Sequence, residues 1–200
     1  MFYLIILFIF KPLLWLIFRP KVSGKENIKP LKETGYIVIS NHTSYRDPVL
    51  IALTIGYRKL FFMAKKELFH GAFGWLIRAL NAFAIDRHSS DTRGIRKAMS
   101  VIKEGDVCLI FPEGRRSHTD EILPLEKGVA FITMQCKAPV LPAYIGRGSK
   151  RGRVLIHYGK PIDIAAAASG FSKAERLKGV TEILHDAIVE LQNEQKRVSS

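Results

Sequence analysis

The chain has 200 residues, a length that suits one domain with a substantial apolar core. Apolar residues make up 48% of it, and no stretch is polar or repetitive enough to predict a long disordered segment. The formal net charge of +13 indicates an anionic partner, which composition alone leaves open as nucleic acid, anionic lipid or a phosphorylated substrate.

The first feature along the chain is a hydrophobic segment, residues 1–19, in which positions 2–18 are apolar except for Lys11 and Pro12. As a helix this run would span about 26 Å, slightly less than a hydrocarbon core of ~30 Å. Lys11 would be costly at the bilayer centre unless it snorkels or finds a partner, and Pro12 would kink the helix. We therefore predict a membrane-associated helix that either crosses the membrane or lies in one leaflet, and no cleaved signal peptide. A core helix of a soluble protein is the alternative.

Residues 20–34 are rich in cations and contain Pro20 and Pro30, and we interpret them as a basic linker. Cations next to a hydrophobic segment favour the cytoplasmic side of a membrane. The remaining residues, 35–200, are therefore predicted to form one domain at the cytoplasmic face of the cell membrane.

Apolar runs and helical patterns alternate through residues 35–200. The predicted strands are 36–40, 60–64, 83–86, 107–111, 140–145 and 154–158. The predicted helices are 48–55, 90–103, 126–137 and a last one that begins at a capping box of Ser172 and Glu175. This alternation predicts a layered α/β domain whose largely parallel or mixed central sheet is flanked by helices, with the strand order left open.

His42 directly follows the first predicted strand, and Asp47 comes five residues later. Ligands usually bind at the carboxyl ends of strands in open α/β sheets. A tight turn could return the carboxylate of Asp47 to the His42 ring, whereas a regular helix would place the two side chains on different faces. So paired, His42 could act as a general base towards a hydroxyl. The spacing also allows a structural His42 and an Asp47 that only caps a helix.

A second polar cluster, Glu113 to Arg116, follows the strand predicted at 107–111. Gly114 permits a tight turn, the arginines could bind a phosphate, and Glu113 could accept a hydrogen bond from a substrate hydroxyl. A solvated turn is the alternative. Two more strand ends carry cations that could contribute to the same site, Lys65 and Arg87. The alternative for Lys65 is a solvated face, and the alternative for Arg87 is a surface ion pair.

The two cysteines, Cys108 and Cys136, show neither a metal-ligand spacing nor a CxxC pair, so we predict reduced, buried thiols and no metal site. The sequence contains no GxSxG nucleophile elbow. With no enzyme nucleophile evident, direct attack by a substrate hydroxyl is the simpler mechanism.

Four blocks resemble the 1-acyl-sn-glycerol-3-phosphate acyltransferase family, within the wider glycerophospholipid acyltransferases that carry the HxxxxD motif. In chain order they are 41–48, 74–87 ending in Ala84-Ile85-Asp86-Arg87, Phe111-Pro112-Glu113-Gly114, and Ala138-Pro139-Val140-Leu141-Pro142. The resemblance covers roughly residues 22–165 and implies that 35–200 is an acyltransferase domain.

The resemblance also implies a reaction. His42 would deprotonate the free sn-2 hydroxyl of a 1-acyl-glycerol-3-phosphate, and that oxygen would attack the thioester of acyl-CoA or of acyl-acyl carrier protein, giving phosphatidic acid. Asp47 would orient His42 and stabilise its cationic form. The residues implied to bind the acceptor are Glu113, Gly114, Arg116, Arg87 and, more weakly, Lys65. No cofactor is implied, because the acyl donor is a substrate.

Arg115 departs from the family pattern, which has a small hydroxyl residue at this position. A related acyltransferase for another acceptor, such as glycerol-3-phosphate, a lysophospholipid or a lyso-ornithine lipid, is therefore the alternative. A non-enzymatic basic protein that binds membranes or nucleic acid is a more remote one. Aromatic residues cluster in apolar runs instead of interleaving with the cations, so we expect an anionic membrane and no nucleic acid as the partner.

Overall fold

The computed structural model of the chain describes residues 11–56, 58–85, 92–117, 119, 121–148 and 153–199. Seven strands form one sheet. They are β1 (Lys21–Ser23), β2 (Tyr36–Ser40), β3 (Leu60–Lys65), β4 (Ala82–Ile85), β5 (Val107–Ile110), β6 (Val140–Arg147) and β7 (Val154–Tyr158). Their order is β1-β7-β6-β2-β5-β3-β4, and every neighbouring pair is parallel except β6 and β7. The predicted α/β domain with a mixed sheet is confirmed.

Helices cover both faces of the sheet. They are α1 (residues 11–18), α2 (Asp47–Ile55), α3 (Gly71–Ala79), α4 (Arg93–Lys103), α5 (Lys127–Cys136), α6 (Ile164–Ser169) and α7 (Arg176–Ser199), with short 3-10 helices at Lys25–Leu31 and Lys66–Phe69. Alternate residues of β2 point to opposite faces, as in any strand. Tyr36 and Val38 pack in the cluster of α2 and α3, whereas Ile37 and Ile39 pack in the cluster of α4, α5 and α7.

Strand β2 lies at the centre of the sheet and is buried along its whole length. This position explains its continuous apolar run, because a strand covered on both faces has no polar side. In the register with β5, Ile39 pairs with Ile110, so the two parallel strands end at the same edge. The chain leaves β2 towards β3 and leaves β5 towards β6, in opposite directions along the sheet. A reversal of this kind opens a crevice at the carboxyl ends of the strands.

Residues 20–34 differ from the predicted linker, because they are part of the domain. Strand β1 pairs with β7 at the sheet edge, and Ile28 and Leu31 of the 3-10 helix that follows are buried in the core. Gly24 makes the turn between them with φ 72°, and a Cβ built there would lie 1.9 Å from the carbonyl oxygen of Tyr158. A strand of three residues is too short for its alternation to be recognised in a sequence.

The sequence pattern does not predict helices α3 and α6, nor the residue at which the last helix begins. Helix α3 has a single polar residue, so its sequence shows no contrast between an apolar and a polar face. Helix α6 is only six residues long. The last helix begins at Arg176, one turn after Ser172, whose hydroxyl donates to the Glu175 carboxylate at 2.6 Å.

Residues 11–18 of the predicted membrane segment form the helix α1. Residues 1–10 of that segment lie outside the residues that the structure describes. Among the residues described, no helix is long and apolar enough to cross a membrane. Leu14 and Phe18 pack against the core cluster of α2. A Cβ built on Gly56 would lie 3.4 Å from Nζ of Lys11, which places this ammonium at the carboxyl end of α2. Unpaired carbonyls and the helix dipole favour a cation there.

Both cysteines are free thiols. Cys108 is fully buried in β5, and burial raises the pKa of its thiol far above the usual range. Cys136 is only partly buried at the end of α5, and burial raises its pKa to about 11. The thiolate is the reactive form of cysteine, so both side chains are unsuited to nucleophilic chemistry at neutral pH.

Candidate active site

The residues that follow β2 leave the sheet through Asn41. Its side-chain amide donates from Nδ2 to the carbonyl of Ile145 at 2.9 Å, and its Oδ1 accepts from the backbone N–H of Ile145 at 2.7 Å. The side chain therefore continues the pairing of β2 with β6 after the main chain has turned away. The local sequence does not predict this role, because it depends on which strand lies beside β2.

His42 and Asp47 are in contact. Nδ1 of His42 lies 2.9 Å from Oδ2 of Asp47, and the exposed fractions of their side chains are 18% and 1%. Because an ionised carboxylate only accepts hydrogen bonds, Nδ1 carries a proton, and in a neutral ring Nε2 is then the nitrogen with the lone pair. No described residue bonds Nε2. The loop thus fixes which ring nitrogen faces Asp47.

Asp47 orients His42 and also begins α2. Its Oδ2 accepts from the backbone N–H groups of Thr43 and Ser44, each at 2.7 Å, and from His42. Asp47 is at the same time the first residue of the helix, whose first backbone bond runs from Leu50 N–H to the carbonyl of Arg46 at 3.0 Å. Its side chain makes no capping bond to the helix, whose cap position is Arg46, so the carboxylate serves the loop and the His42 ring.

The loop after β5 holds His42 from the other side. The ring of Phe111 stacks on the imidazole with 4.0 Å between centroids. Oε1 of Glu113 accepts from the backbone N–H of His42 at 3.0 Å, and the backbone N–H of Ser117 donates to the carbonyl of His42 at 2.7 Å. Both main-chain polar groups of His42 are thereby fixed by one neighbouring segment.

The Glu113 carboxylate is buried between backbone donors. Its second oxygen, Oε2, accepts from the backbone N–H of Leu123 at 3.3 Å. Burial raises the pKa of this carboxyl, while the N–H groups of His42 and Leu123 act in the lowering direction. Each oxygen retains a lone pair, so a substrate hydroxyl could still donate to it. Gly114 has φ 69°, a left-handed conformation that glycine adopts without strain and that closes the turn from Phe111.

Arg116 lies beside the loop that carries His42 and Asp47. Its guanidinium is 3.7 Å from the centroid of the Tyr45 ring, close enough for a cation–π contact. In the described part of the chain no carboxylate forms an ion pair with it. Arg115 is exposed, one position earlier.

The two other predicted cations are less well placed. Lys65 is the last residue of β3 and is exposed. With β5 between β3 and β2, the backbones at these two strand ends are about 10 Å apart. Arg87 lies outside the described residues.

Two further observations concern metal ligands and the cleft nearest to β4. Within the ranges that the structure describes, no group of three or more His, Cys, Asp or Glu side chains could hold a metal ion. A cleft of about 460 Å³ lies beside β4, where its wall includes Lys66, Phe69, His70 and Arg78. None of the residues that line it belongs to the His42–Asp47 site.

Comparisons with known proteins show to which family the chain is similar. The family described as Acyltransferase matches residues 19–146. A Bacillus subtilis protein named 1-acyl-sn-glycerol-3-phosphate acyltransferase is 34% identical over 86% of this chain and 88% of its own length. A Streptococcus pneumoniae protein of the same name is 36% identical over 68% of this chain, which spans 53% of that relative.

A solved structure is also similar. The crystal structure of the 1-acyl-sn-glycerophosphate acyltransferase PlsC from Thermotoga maritima superposes with a TM-score of 0.62 at 31% identity, covering 86% of this chain and 72% of that one. The family match extends over more than half of the chain and contains the His42, Asp47 and Glu113 positions. This chain belongs to the acyltransferase family, among the 1-acyl-sn-glycerol-3-phosphate acyltransferases.

Proposed function

We propose that this protein transfers a fatty acyl group from an acyl thioester to the sn-2 hydroxyl of a 1-acyl-glycerol-3-phosphate, giving phosphatidic acid. The observation that carries the proposal is the His42–Asp47 pair, with 2.9 Å between Nδ1 and Oδ2 and with no described residue bonded to Nε2. The relatives named 1-acyl-sn-glycerol-3-phosphate acyltransferase support the choice of reaction and acceptor.

His42 is the general base in this mechanism. Nε2 takes the proton of the acceptor hydroxyl as its oxygen attacks the thioester carbonyl carbon. The tetrahedral intermediate then collapses, the carbon–sulfur bond breaks, and the departing thiolate takes the proton back from Nε2. Asp47 stays ionised, holds the ring orientation and stabilises the imidazolium between these steps. The enzyme supplies no covalent nucleophile.

Arg116 binds the acceptor phosphate in our proposal, and Gly114 lets the backbone of the turn approach the glycerol. A guanidinium stacked on Tyr45 is held in one orientation and presents several N–H donors to a phosphate. Arg87 and Lys65 are weaker candidates for the same anion. The donor is acyl-CoA or acyl-acyl carrier protein, and a chain of net charge +13 attracts either of these acidic molecules.

The enzyme works at the cytoplasmic face of the cell membrane in this account. The contacts of α1 with α2 favour a hydrophobic segment whose described part lies along the domain, in one leaflet, because Leu14 and Phe18 face the protein core. Cations beside this helix, such as Lys25 over the Trp15 ring, suit an anionic headgroup layer.

A panel of acceptors tests the reaction. Purified protein in detergent, given a labelled acyl-CoA or acyl-acyl carrier protein, should acylate 1-acyl-glycerol-3-phosphate faster than glycerol-3-phosphate, a lysophospholipid or a lyso-ornithine lipid.

His42→Ala should lower kcat by about 10²- to 10⁴-fold, because a general base contributes that much, while leaving the melting temperature nearly unchanged. Acylation of no lysolipid would refute the function, and a normal rate in His42→Ala would refute the role of His42.

Arg116→Ala should raise the KM for the acceptor about ten- to hundred-fold, because a hydrogen bond to a charged group contributes roughly 1.5–3 kcal/mol. Steady-state kinetics at fixed acyl donor would measure it. Arg115→Ala is the matched control, since it removes the same charge one residue away and should change the KM little. Equal effects of the two substitutions would mean that general positive charge, and not a specific contact of Arg116, binds the acceptor.

Glu113 is proposed to hold His42 in place as well as to bind the acceptor, and the two roles predict different kinetics. If positioning dominates, Glu113→Ala lowers kcat about ten- to hundred-fold through misplacement of the base, and it lowers the melting temperature because two partly buried N–H groups lose their acceptor. Glu113→Gln keeps one acceptor and should restore part of both losses. A raised acceptor KM with unchanged kcat and melting temperature would instead assign Glu113 to binding alone.

A further inference from the structure

Helix α3 presents an apolar face to solvent. Trp75, Phe73 and Leu76 are 66%, 45% and 46% exposed, whereas Gly74 and Ile77 form the buried side. Gly74 packs so closely on the preceding 3-10 helix that a Cβ there would lie 2.2 Å from the backbone of Phe69. The inner face is therefore already filled by protein. A helix that is apolar on its outer face as well is typical of contact with a core or a membrane.

This face is continuous with the catalytic loop, by which we mean residues 42–47. The ring of Phe73 meets the ring of Tyr45 edge-on at 5.9 Å, and Tyr45, three residues after His42, is itself 54% exposed. On the other side of the loop, the guanidinium of Arg46 lies 5.3 Å from the ring centroid of Phe18 in α1. The catalytic loop thus lies between two helices that expose apolar side chains.

We define the lipid face by the exposed apolar residues of these elements, which are Leu13, Leu16, Ile17, Tyr45, Phe73, Trp75 and Leu76. We propose that α3 inserts Trp75 and Leu76 into the anionic lipid bilayer, as a membrane contact additional to the N-terminal segment, and so brings His42 to the headgroup level. The inference rests on the proposed function, because only a lipid acceptor requires the catalytic loop to meet a bilayer.

The chemistry of the surface favours lipid over a second protein. Tryptophan and tyrosine prefer the boundary between headgroups and acyl chains, where an apolar ring and a polar group are both satisfied. The sequence of residues 43–46 and of α3 contains Arg46 and Arg78 and no acidic residue, which suits an anionic headgroup layer. Arg116, stacked on Tyr45, lies beside the same surface, where the phosphate of a lipid in the bilayer would meet it.

Tryptophan fluorescence can report the insertion directly, since the chain has two tryptophans, Trp15 and Trp75. In Trp15→Phe, the emission of Trp75 should shift to the blue and be quenched when full-length protein binds vesicles of phosphatidylglycerol and phosphatidylcholine with brominated acyl chains. A matched control carries Trp15→Phe, Trp75→Phe and Phe131→Trp, because Phe131 is 43% exposed on α5, on the opposite face of the sheet. Its fluorescence should not be quenched. Vesicle-bound protein in which Trp75 keeps its aqueous emission would overturn the proposal.

A kinetic measurement separates membrane contact from a structural role. Trp75→Ser with Leu76→Ser should lower turnover of vesicle-borne 1-acyl-glycerol-3-phosphate about ten-fold, because less apolar area is buried in the bilayer. Turnover of a short-chain, water-dispersed acceptor should stay the same. Equal losses on both substrates, or an apparent mass that falls from dimer to monomer, would overturn the proposal in favour of a structural or self-association role. Failure of the proposed acyl transfer would give a different result from failure of the membrane contact. The wild-type chain would then acylate neither acceptor, while the fluorescence of Trp75 could still be quenched.

Discussion

The carboxylate of Asp47 is the group on which the geometry of the site depends. It is 1% exposed, and one of its oxygens accepts hydrogen bonds from the backbone N–H groups of Thr43 and Ser44 and from the His42 ring. A buried charge is costly unless hydrogen bonds replace its lost hydration. Those donors converge only if the chain turns back immediately after β2. The turn, the orientation of the imidazole and the first residue of α2 are thus one arrangement.

The sheet supplies the second constraint. Because β2 and β5 are adjacent, parallel and in register, the loop of His42 and the loop of Glu113 leave the same edge side by side. Glu113 and Ser117 bond the two main-chain groups of His42, and Phe111 covers its ring. His42 is therefore held by two segments 71 residues apart in sequence, each fixed by a buried strand. Such preorganisation costs nothing at the moment of reaction.

The sequence predicted much of this fold, because buried strands leave clear apolar runs and parallel strands place their carboxyl ends together. His42, Asp47, Glu113 and Gly114 were recognisable because polar residues stand directly after such runs. Strand β1 and helix α3 were not, since one is too short to show alternation and the other has almost no polar residue. The bonds of Asn41 and Glu113 to distant backbone groups depend on strand order, which a local pattern does not contain.

The central claim is that His42 activates the acceptor hydroxyl directly, without a covalent acyl-enzyme. Mixing the enzyme with an acyl thioester in the absence of acceptor, and following both thiol release and intact protein mass, tests it most directly. The account predicts no burst of thiol and no mass increase until 1-acyl-glycerol-3-phosphate is added. A stoichiometric burst, with an acylated protein that passes its acyl group to the acceptor, would contradict it.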